Sequence, residues 1–567
     1  MESSGKISYI FRKYPSIRVF CLFCLIGIFL IVLYFLGHQV ESVPEIEAII
    51  PPVGSPGDVI LINGKNFGDN RDMSYVSFSG SKLTASSYIS WSDNSIKIVL
   101  PANVQDGLVV VGTKKNQSKP VLFANEVDIP VPVPSTQQSL NPVITSISTE
   151  KLGIGDLLVI TGNNFGETRN ESKVLFTIDY GNKIRDAQFV NRSLYTENMI
   201  PVTEFENGYE YWSNTEIRVR VPDGACTGVV IVQNEKTSSE PFDVSISDDT
   251  GIKSFKDKKI YLIQYTADVK DIDTTDNATI TLRCPIPVRS SAQPETEVTE
   301  MSPAPLLQNY QNCMIYQMTR GANSSLKNNI SQTVVLPVYE VNTKVNPDKI
   351  GSMKKINTLF YNQTTSADSI VPADDDKLKD LYKKIVGKEK NHYRRAKLIY
   401  DYMCDNYEVL KKNRKADADP LDLVSKEKGD AYDFAVIYAA LLRTAGIPCI
   451  VDSGILIDAS LKTRAHWWCE FYLPGYGWIP VDVALGRGME YQQWPSIGND
   501  REYYFGNMDS HHIVFSRGFT EMKPFAKENK IVQYQKSFAL QSIWEEASSN
   551  TIKYSSYWSV PEIKGVY

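Results

Sequence analysis

The chain has 567 residues, a formal net charge of −6 at pH 7 and a sequence pI near 5.7. This length predicts about three to five domains, and the acidic balance argues against a protein that binds nucleic acid. The eight cysteines lack the spacing of a disulfide framework, and the five histidines do not cluster with cysteines, although His511 and His512 are adjacent. We therefore expect no metal and no cofactor.

The N-terminus is typical of a membrane anchor. An uninterrupted apolar run extends from Val19 to Leu36, which is long enough to cross a bilayer as a helix. Four basic residues precede it: Lys6, Arg12, Lys13 and Arg18. Because basic flanks stay in the cytoplasm, we predict a cytoplasmic tail at 1–18 and a transmembrane signal anchor at 19–37. The rest of this single-pass protein would be extracytoplasmic, in the periplasm or on the cell surface. A cleaved signal peptide is the alternative, although no Ala-x-Ala site follows the apolar run.

Two later segments repeat one pattern. Ile62–Gly68 and Ile160–Gly166 both read Ile-x-Gly-x-Asn-Phe-Gly, and each is followed by a Trp-Ser pair that begins at Trp91 or Trp212. Short apolar runs separated by Gly and Asn turns predict β-sandwiches. The second copy contains an insertion between Phe176 and Trp212, which we expect to be a solvated loop, with partner binding as the alternative.

This repeat resembles the IPT/TIG family of immunoglobulin-like domains. We therefore predict two such domains, at 42–127 and 142–248, joined by an extended Pro-rich linker at 128–141. The resemblance implies spacers or protein-binding modules, and the repeat itself carries no residues suited to chemistry.

Residues 252–372 are predicted to form a further β-sandwich, because three apolar runs in this segment read as strands. These runs are 260–263, 278–282 and 333–338. The polar stretch 292–305 between them reads as a loop.

The next domain is predicted at 374–520 and begins with helical stripes of apolar residues. A further helix is expected to start after Asp430, which is a favourable N-cap, and to end at Gly446. Two strand-like runs follow, His466–Glu470 and Gly477–Asp482.

The order of these motifs resembles the transglutaminase-like superfamily in its bacterial form, whose members use a Cys, a His and an Asp in a papain-like core. The resemblance implies that Ala431 occupies the nucleophile position, that His466 is the base and that Asp482 orients it. A methyl group cannot attack a carbonyl carbon, and loss of the nucleophile from such a triad costs about a million-fold in turnover.

Three other cysteines are candidates to replace the missing thiol: Cys404, Cys449 and Cys469. Each is expected to be a buried core thiol, and in a strand Cys469 would point away from His466. An inactive member can keep its substrate cleft. Three aromatic side chains would line that cleft beside His466: Tyr432, Trp468 and Trp478.

The predicted fold is thus multidomain, with all-β Ig-like sandwiches followed by a β-sandwich and an α+β papain-like domain. A C-terminal extension at 521–567 would pack back on the body. The predicted function is binding or scaffolding at the cell envelope by a membrane-anchored protein whose transglutaminase-like domain is catalytically inactive. Its partner, besides the membrane, would be a protein, a peptide or a glycopeptide.

Two alternative functions stay open. The first is an active thiol amide hydrolase or acyl transferase on peptide or peptidoglycan, in which alanine has replaced the cysteine at position 431. The second is a surface adhesin that acts through the Ig-like domains.

Overall fold

The computed structural model describes residue 27 and residues 43–567, except for 55–56, 102–106, 115, 126–140, 150, 189, 276–277, 321–328 and 495–499. The predicted tail, nearly all of the predicted anchor at 19–37 and nearly all of the predicted linker lie outside the described residues. Within the described part, no helix is long and apolar enough to cross a membrane. The chain divides into two compact units, residues 1–126 and residues 127–567.

The first unit contains one β-sandwich. Its strands are β1 Glu45–Ile50, β2 Val53–Gly54, β3 Val59–Lys65, β4 Tyr75–Phe78, β5 Ser81–Lys82, β6 Tyr88–Ser92, β7 Ser95–Val99, β8 Gly107–Gly112 and β9 Val121–Asn125. One sheet has the order β1-β3-β7-β6 and the other the order β2-β9-β8-β4-β5. The alternating apolar residues of both sheets point inward, so that Ile62, Phe67 and Ile98 are fully buried in its core.

The second unit begins with a sandwich of the same design. Its elements are β10 Val143–Ile147, β11 Lys151–Leu152, β12 Leu157–Asn163, β13 Lys173–Ile178, α1 Arg192–Glu197, β14 Met199–Pro201, β15 Tyr209–Trp212, β16 Glu216–Arg220, β17 Ala225–Gln233 and β18 Phe242–Ile246. The sheet orders are β10-β12-β16-β15 and β11-β18-β17-β13-β14. Each strand takes the place of its counterpart in the first unit, so the sequence repeat is a repeat of one strand order.

The glycine of the repeated motif has a steric reason. A Cβ atom at Gly162 would lie 1.9 Å from the carbonyl oxygen of Val143 and 2.5 Å from the ring of Phe165. Gly64 has the same surroundings, with Glu45 and Phe67 as the corresponding neighbours. Only glycine lets the motif phenylalanine close over the first strand of each sandwich.

The insertion of the second sandwich is not the solvated loop that the sequence predicts. Tyr180 is buried, its ring stacks on Tyr339 at 4.2 Å, and its hydroxyl donates to the carbonyl oxygen of Ser291 at 2.8 Å. Phe205 lies 6.0 Å from the ring of Trp478. The prediction failed because Tyr180 and one side of Phe205 pack against residues that are distant in sequence, whereas Tyr211 stays 47% exposed.

A third β-sandwich follows, and it is completed by the C-terminus. Its elements are β19 Gly251–Thr274, β20 Ala278–Pro285, β21 Glu297–Ser302, β22 Leu307–Tyr310, β23 Cys313–Arg320, β24 Asn329–Val345, and later β31 Lys530–Val532, β32 Glu545–Ala547, β33 Thr551–Trp558 and β34 Glu562–Val566. One sheet has the order β21-β24-β19-β33, with β34 also on β19, and the other has the order β22-β23-β20-β32-β31.

Three predictions for this region are wrong. The sandwich does not end at 372, because residues 346–372 hold no strand and contain α2, Thr358–Thr365. The segment 521–567 is not an extension, since it supplies four strands and the fully buried Trp544. The polar stretch 292–305 contains β21, an edge strand that pairs with β24 and keeps four of its six residues exposed.

The remaining elements form an α+β core. They are α3 Asp376–Val386, α4 His392–Asn406, β25 Glu408–Val409, α5 Asp422–Lys426, β26 Lys428–Gly429, α6 Ala431–Thr444, β27 Cys449–Ile457, β28 Thr463–Leu473, β29 Gly477–Val481, α7 Val483–Gly486, α8 Asp500–Tyr503 and β30 His512–Arg517. The sheet has the order β29-β28-β27-β30. Helix α6 is buried almost from end to end between this sheet and helices α3 and α4. It ends before Gly446, whose φ of +69° lies in the left-handed region that favours glycine.

The C-terminal strands generate the first prediction. A chain that ends at residue 520 should lose cooperative thermal unfolding of the second unit, because β19 and β20 would each lose a paired neighbour and the core around Trp544 would open to water. Differential scanning calorimetry of the shortened and full chains measures this. An unchanged transition would show that 521–567 is dispensable and that the discontinuous sandwich is misassigned.

Candidate active site

Helix α6 begins after Asp430, the residue that the sequence predicts as its N-cap, and the structure shows a complete capping box there. The side chain of Asp430 accepts from the amide of Asp433 at 3.1 Å, and the side chain of Asp433 accepts from the amide of Asp430 at 2.9 Å. Ala431 is the first helical residue and is 3% exposed. The position where a thiolate would meet the helix dipole therefore carries a buried methyl group.

The two capping carboxylates are buried and are neutralised by two cations. Arg414 donates to both carboxylate oxygens of Asp433, at 2.6 and 2.8 Å, and its backbone amide donates to Asp430 at 2.6 Å. Lys536 donates to the other side of the pair, with its ammonium 2.7 Å from Asp430. The hydrogen bonds to Asp433 raise the pKa of Arg414, whereas burial raises the pKa of Asp433 despite Arg414.

Lys536 comes from the C-terminal segment and covers the start of the helix. Its ammonium lies 5.1 Å from the centre of the Tyr432 ring, and the next residue, Ser537, accepts a hydrogen bond from Ser453 on β27 at 2.8 Å. Lys536 thus contacts the residues on both sides of Ala431. Tyr432 is only 6% exposed and meets the Trp467 ring edge-on at 5.5 Å.

The predicted histidine and aspartate meet. His466 lies in β28, and Asp482 directly follows β29, where its side chain caps α7 by accepting from Leu485 at 2.8 Å. The distance between His466 Nε2 and Asp482 Oδ2 is 2.5 Å. Burial lowers the pKa of His466, although the nearby Asp482 favours its charged form. Burial would raise the pKa of Asp482, but His466 and His512 outweigh burial and lower it.

A second histidine shares the same carboxylate, and sequence reasoning missed it. His512 Nε2 lies 3.4 Å from Asp482 Oδ2, and its Nδ1 lies 2.8 Å from Asp509 Oδ1. Burial alone would lower the pKa of His512, but the charges of Asp509 and Asp482 outweigh burial and raise this pKa to about 9. The adjacent His511 points elsewhere, to the Tyr261 hydroxyl at 2.9 Å. The adjacent histidine pair was the available signal, but nothing local in sequence linked it to Asp482.

One predicted cleft residue lies elsewhere, and the others are closed to solvent. Trp468 is 4% exposed and stacks on the His466 ring at 6.0 Å. Trp478 is fully buried on the face of the sheet that the second sandwich covers, and its indole N–H donates to Glu206 of the insertion at 3.0 Å. The prediction for Trp478 is therefore wrong, because strand alternation places its ring against α2 and the insertion.

The three other cysteines are buried. Cys469 donates to the carbonyl oxygen of Ala435 on α6 at 3.1 Å, while His466 lies on the opposite face of β28 with Trp468. Burial raises the pKa of Cys469 and raises that of Cys404 to about 12. In this conformation neither thiol is poised to replace the missing nucleophile.

Comparison with known proteins agrees with this architecture. Residues 379–483 match the model of the transglutaminase-like superfamily, and residues 44–124 match that of the IPT/TIG domain. The chain thus carries a transglutaminase-like core and an Ig-like IPT/TIG domain in a multidomain, mainly β fold.

Individual relatives cover only parts of the chain. An uncharacterised protein of Haemophilus influenzae is 28% identical over 169 residues, which are 24% of this chain and 46% of that protein. A cyclomaltodextrin glucanotransferase of Bacillus licheniformis is 30% identical over 22% of this chain and 16% of its own length. The periplasmic domain of TgpA from Pseudomonas aeruginosa aligns with 40% of this chain and 86% of its own, with 12% identity and a TM-score of 0.23.

The second prediction concerns pH and Glu206. Burial, reinforced by Asp223, raises the pKa of Glu206 to about 7 from its ordinary value of 4.5. Between these two pH values the folded chain holds a proton that the unfolded chain has lost, so Glu206 makes stability fall as pH rises through this window. Glu206→Gln should raise the Tm at pH 8 by at least about 2 °C and leave it unchanged at pH 4.5. Glu216→Gln, at an exposed ion pair with Arg218, is the control. Equal effects of both variants at both pH values would contradict the assignment.

Proposed function

We propose that this protein is a membrane-anchored, extracytoplasmic binding or scaffold protein whose transglutaminase-like domain is catalytically inactive. The observation that carries the proposal is the start of α6, where the nucleophile position holds a methyl group that is 3% exposed. Lys536 contacts Asp430 and Tyr432 on either side of it. Both the reactive atom and the approach to it are therefore missing.

The persistence of His466 and Asp482 does not require catalysis. Asp482 caps α7 and accepts from a buried histidine, so its loss would leave buried polar groups without partners. This structural role supports an inactive domain that keeps most of its former site.

Binding through the predicted cleft has little support, because Tyr432, His466 and Trp468 are 6%, 1% and 4% exposed. The sandwich domains support a binding role better, since domains of this type are usually spacers or protein-binding modules. The second sandwich uses part of its surface to cover Trp478, whereas the first is a compact unit of its own. We assign the protein, peptide or glycopeptide partner to the first sandwich, as in the adhesin alternative.

One observation favours the competing enzyme function. The capping box at α6 and the contact between His466 and Asp482 are two features that a thiolate enzyme uses. An enzyme in which alanine has replaced a natural cysteine at position 431 would have this site.

The third prediction separates these two functions. Neither the chain nor its Ala431→Cys variant should hydrolyse peptide amides or cross-link glutamine to amines, because position 431 is 3% exposed and Lys536 contacts the residues on both sides of it. Release of product from fluorogenic peptides and amine incorporation into casein are the measurements. Turnover by Ala431→Cys that disappears in Ala431→Cys/His466→Gln would establish the thiol enzyme instead.

The fourth prediction tests the binding surface. Residues 127–567 should bind soluble muropeptides or solubilised envelope proteins of the source organism at least about tenfold more weakly than the full chain, as expected when the main contact surface is removed. Isolated residues 43–126 serve as competitor in the same titration. Equal affinity of the full chain and residues 127–567 would move the binding site to the second unit.

The fifth prediction concerns the anchor, which rests on the apolar run from Val19 to Leu36 and its basic flank. Protease added outside the membrane of intact cells or spheroplasts should digest the folded domains and leave a short membrane-bound stub. Recovery of a soluble chain that lacks the apolar run would show cleavage by a signal peptidase and would contradict anchoring.

A further inference from the structure

Three metal-ligating side chains converge where the sequence shows no metal motif. The ligand atoms of His466, Asp482 and His512 all lie within 4.8 Å of one another. Asp482 is 16 residues from His466 and 30 from His512 along the chain, so the three residues form no local sequence motif. Two imidazole nitrogens and one carboxylate oxygen are a donor set that suits Zn²⁺.

The distances are close to those of a coordinated ion. Two ligand atoms on one tetrahedral Zn²⁺ are about 3.3 Å apart when each bond is about 2.0–2.1 Å long. The separation of His512 Nε2 and Asp482 Oδ2 is 3.4 Å and already meets this value. His466 Nε2 lies 2.5 Å from the same oxygen, as a direct hydrogen bond requires, and must retreat by less than about 1 Å to bind metal.

The surroundings orient two of the three ligands. Asp509 lies 2.8 Å from Nδ1 of His512, which keeps a proton on that nitrogen and turns the Nε2 lone pair toward Asp482. The backbone amide of Leu485 donates a hydrogen bond to Asp482 Oδ1, so that Oδ2 is the oxygen that faces the two histidines. Carboxylate, histidine and metal in this order form the usual outer-shell arrangement of zinc sites.

We propose that His466, Asp482 and His512 bind a Zn²⁺ ion. A cavity of about 40 Å³ lies beside the site, lined in part by His512, Asp509 and Trp468, and has room for a water molecule as fourth ligand. The three ligands are 1%, 0% and 4% exposed, so the ion ties β28, β30 and the start of α7 together and does not meet substrate. This zinc site is a proposal separate from the binding function, and the result of its test does not depend on whether that function is correct.

The test is the metal content of the folded full chain. After expression with added Zn²⁺ and extensive dialysis, mass spectrometry should find about one zinc per chain, as expected for one site whose three protein ligands are buried. His512→Gln and His466→Gln should each lose at least about nine-tenths of it. His511→Gln is the matched control, because its side chain contacts Tyr261 and Trp494 instead, and it should keep the zinc.

A second measurement needs no variant. Co²⁺ added to the chelator-treated chain should give the visible absorption of a four-coordinate site without a thiolate charge-transfer band, since no ligand is a cysteine. Zinc-free wild-type chain that also fails to take up Co²⁺ would overturn the proposal and leave a proton between His512 and Asp482. Zinc that persists in His512→Gln, or a thiolate band, would place the metal elsewhere and equally overturn it.

Discussion

The arrangement of the α+β core depends on two carboxylates that are buried side by side at the start of α6. Asp430 and Asp433 are both 0% exposed, and they satisfy each other's backbone amides in the capping box. A buried charge without a partner costs about 3–5 kcal/mol, so the pair requires cations. Arg414 and Lys536 supply them from opposite directions along the chain.

This requirement links the core to the C-terminus. Lys536 stands between β31 and β32, two strands of the third sandwich. The same segment that neutralises the capping pair therefore also closes a β-sheet and covers Ala431. A thiol enzyme needs an open approach at this point, whereas a structural or binding domain gains rigidity from closing it. The buried contacts among Asp482, His466 and His512 likewise link β28, β30 and the start of α7.

The parts of this structure that follow from local sequence were predictable. Asp430 and Gly446 set the ends of α6, and the alternation along β28 places Cys469 and His466 on opposite faces, as the observed contacts show. The two Gly-x-x-Phe motifs located both Ig-like sandwiches, because each motif works within a few residues of itself.

The parts that depend on contacts between distant segments were not predictable. Nothing in the sequence around Lys536 indicates that it contacts Asp430. Nothing in the sequence around His512 indicates its contact with Asp482, which lies 30 residues away. Trp478 looked like a cleft residue because its strand was recognised but the domain that covers it was not. In each case the missing information was which surface another domain occupies.

The central claim is that charge compensation by Lys536 keeps the start of α6 closed. Amide hydrogen exchange of the peptide 428–436, followed by mass spectrometry, tests it in the wild type, Lys536→Met and Lys536→Arg. Loss of the cation should accelerate exchange at least about tenfold in Lys536→Met, since a buried carboxylate would lose a partner and local opening would become easier. Lys536→Arg keeps the charge and should exchange nearly as slowly as the wild type. Exchange in Lys536→Met as slow as in the wild type would contradict the account.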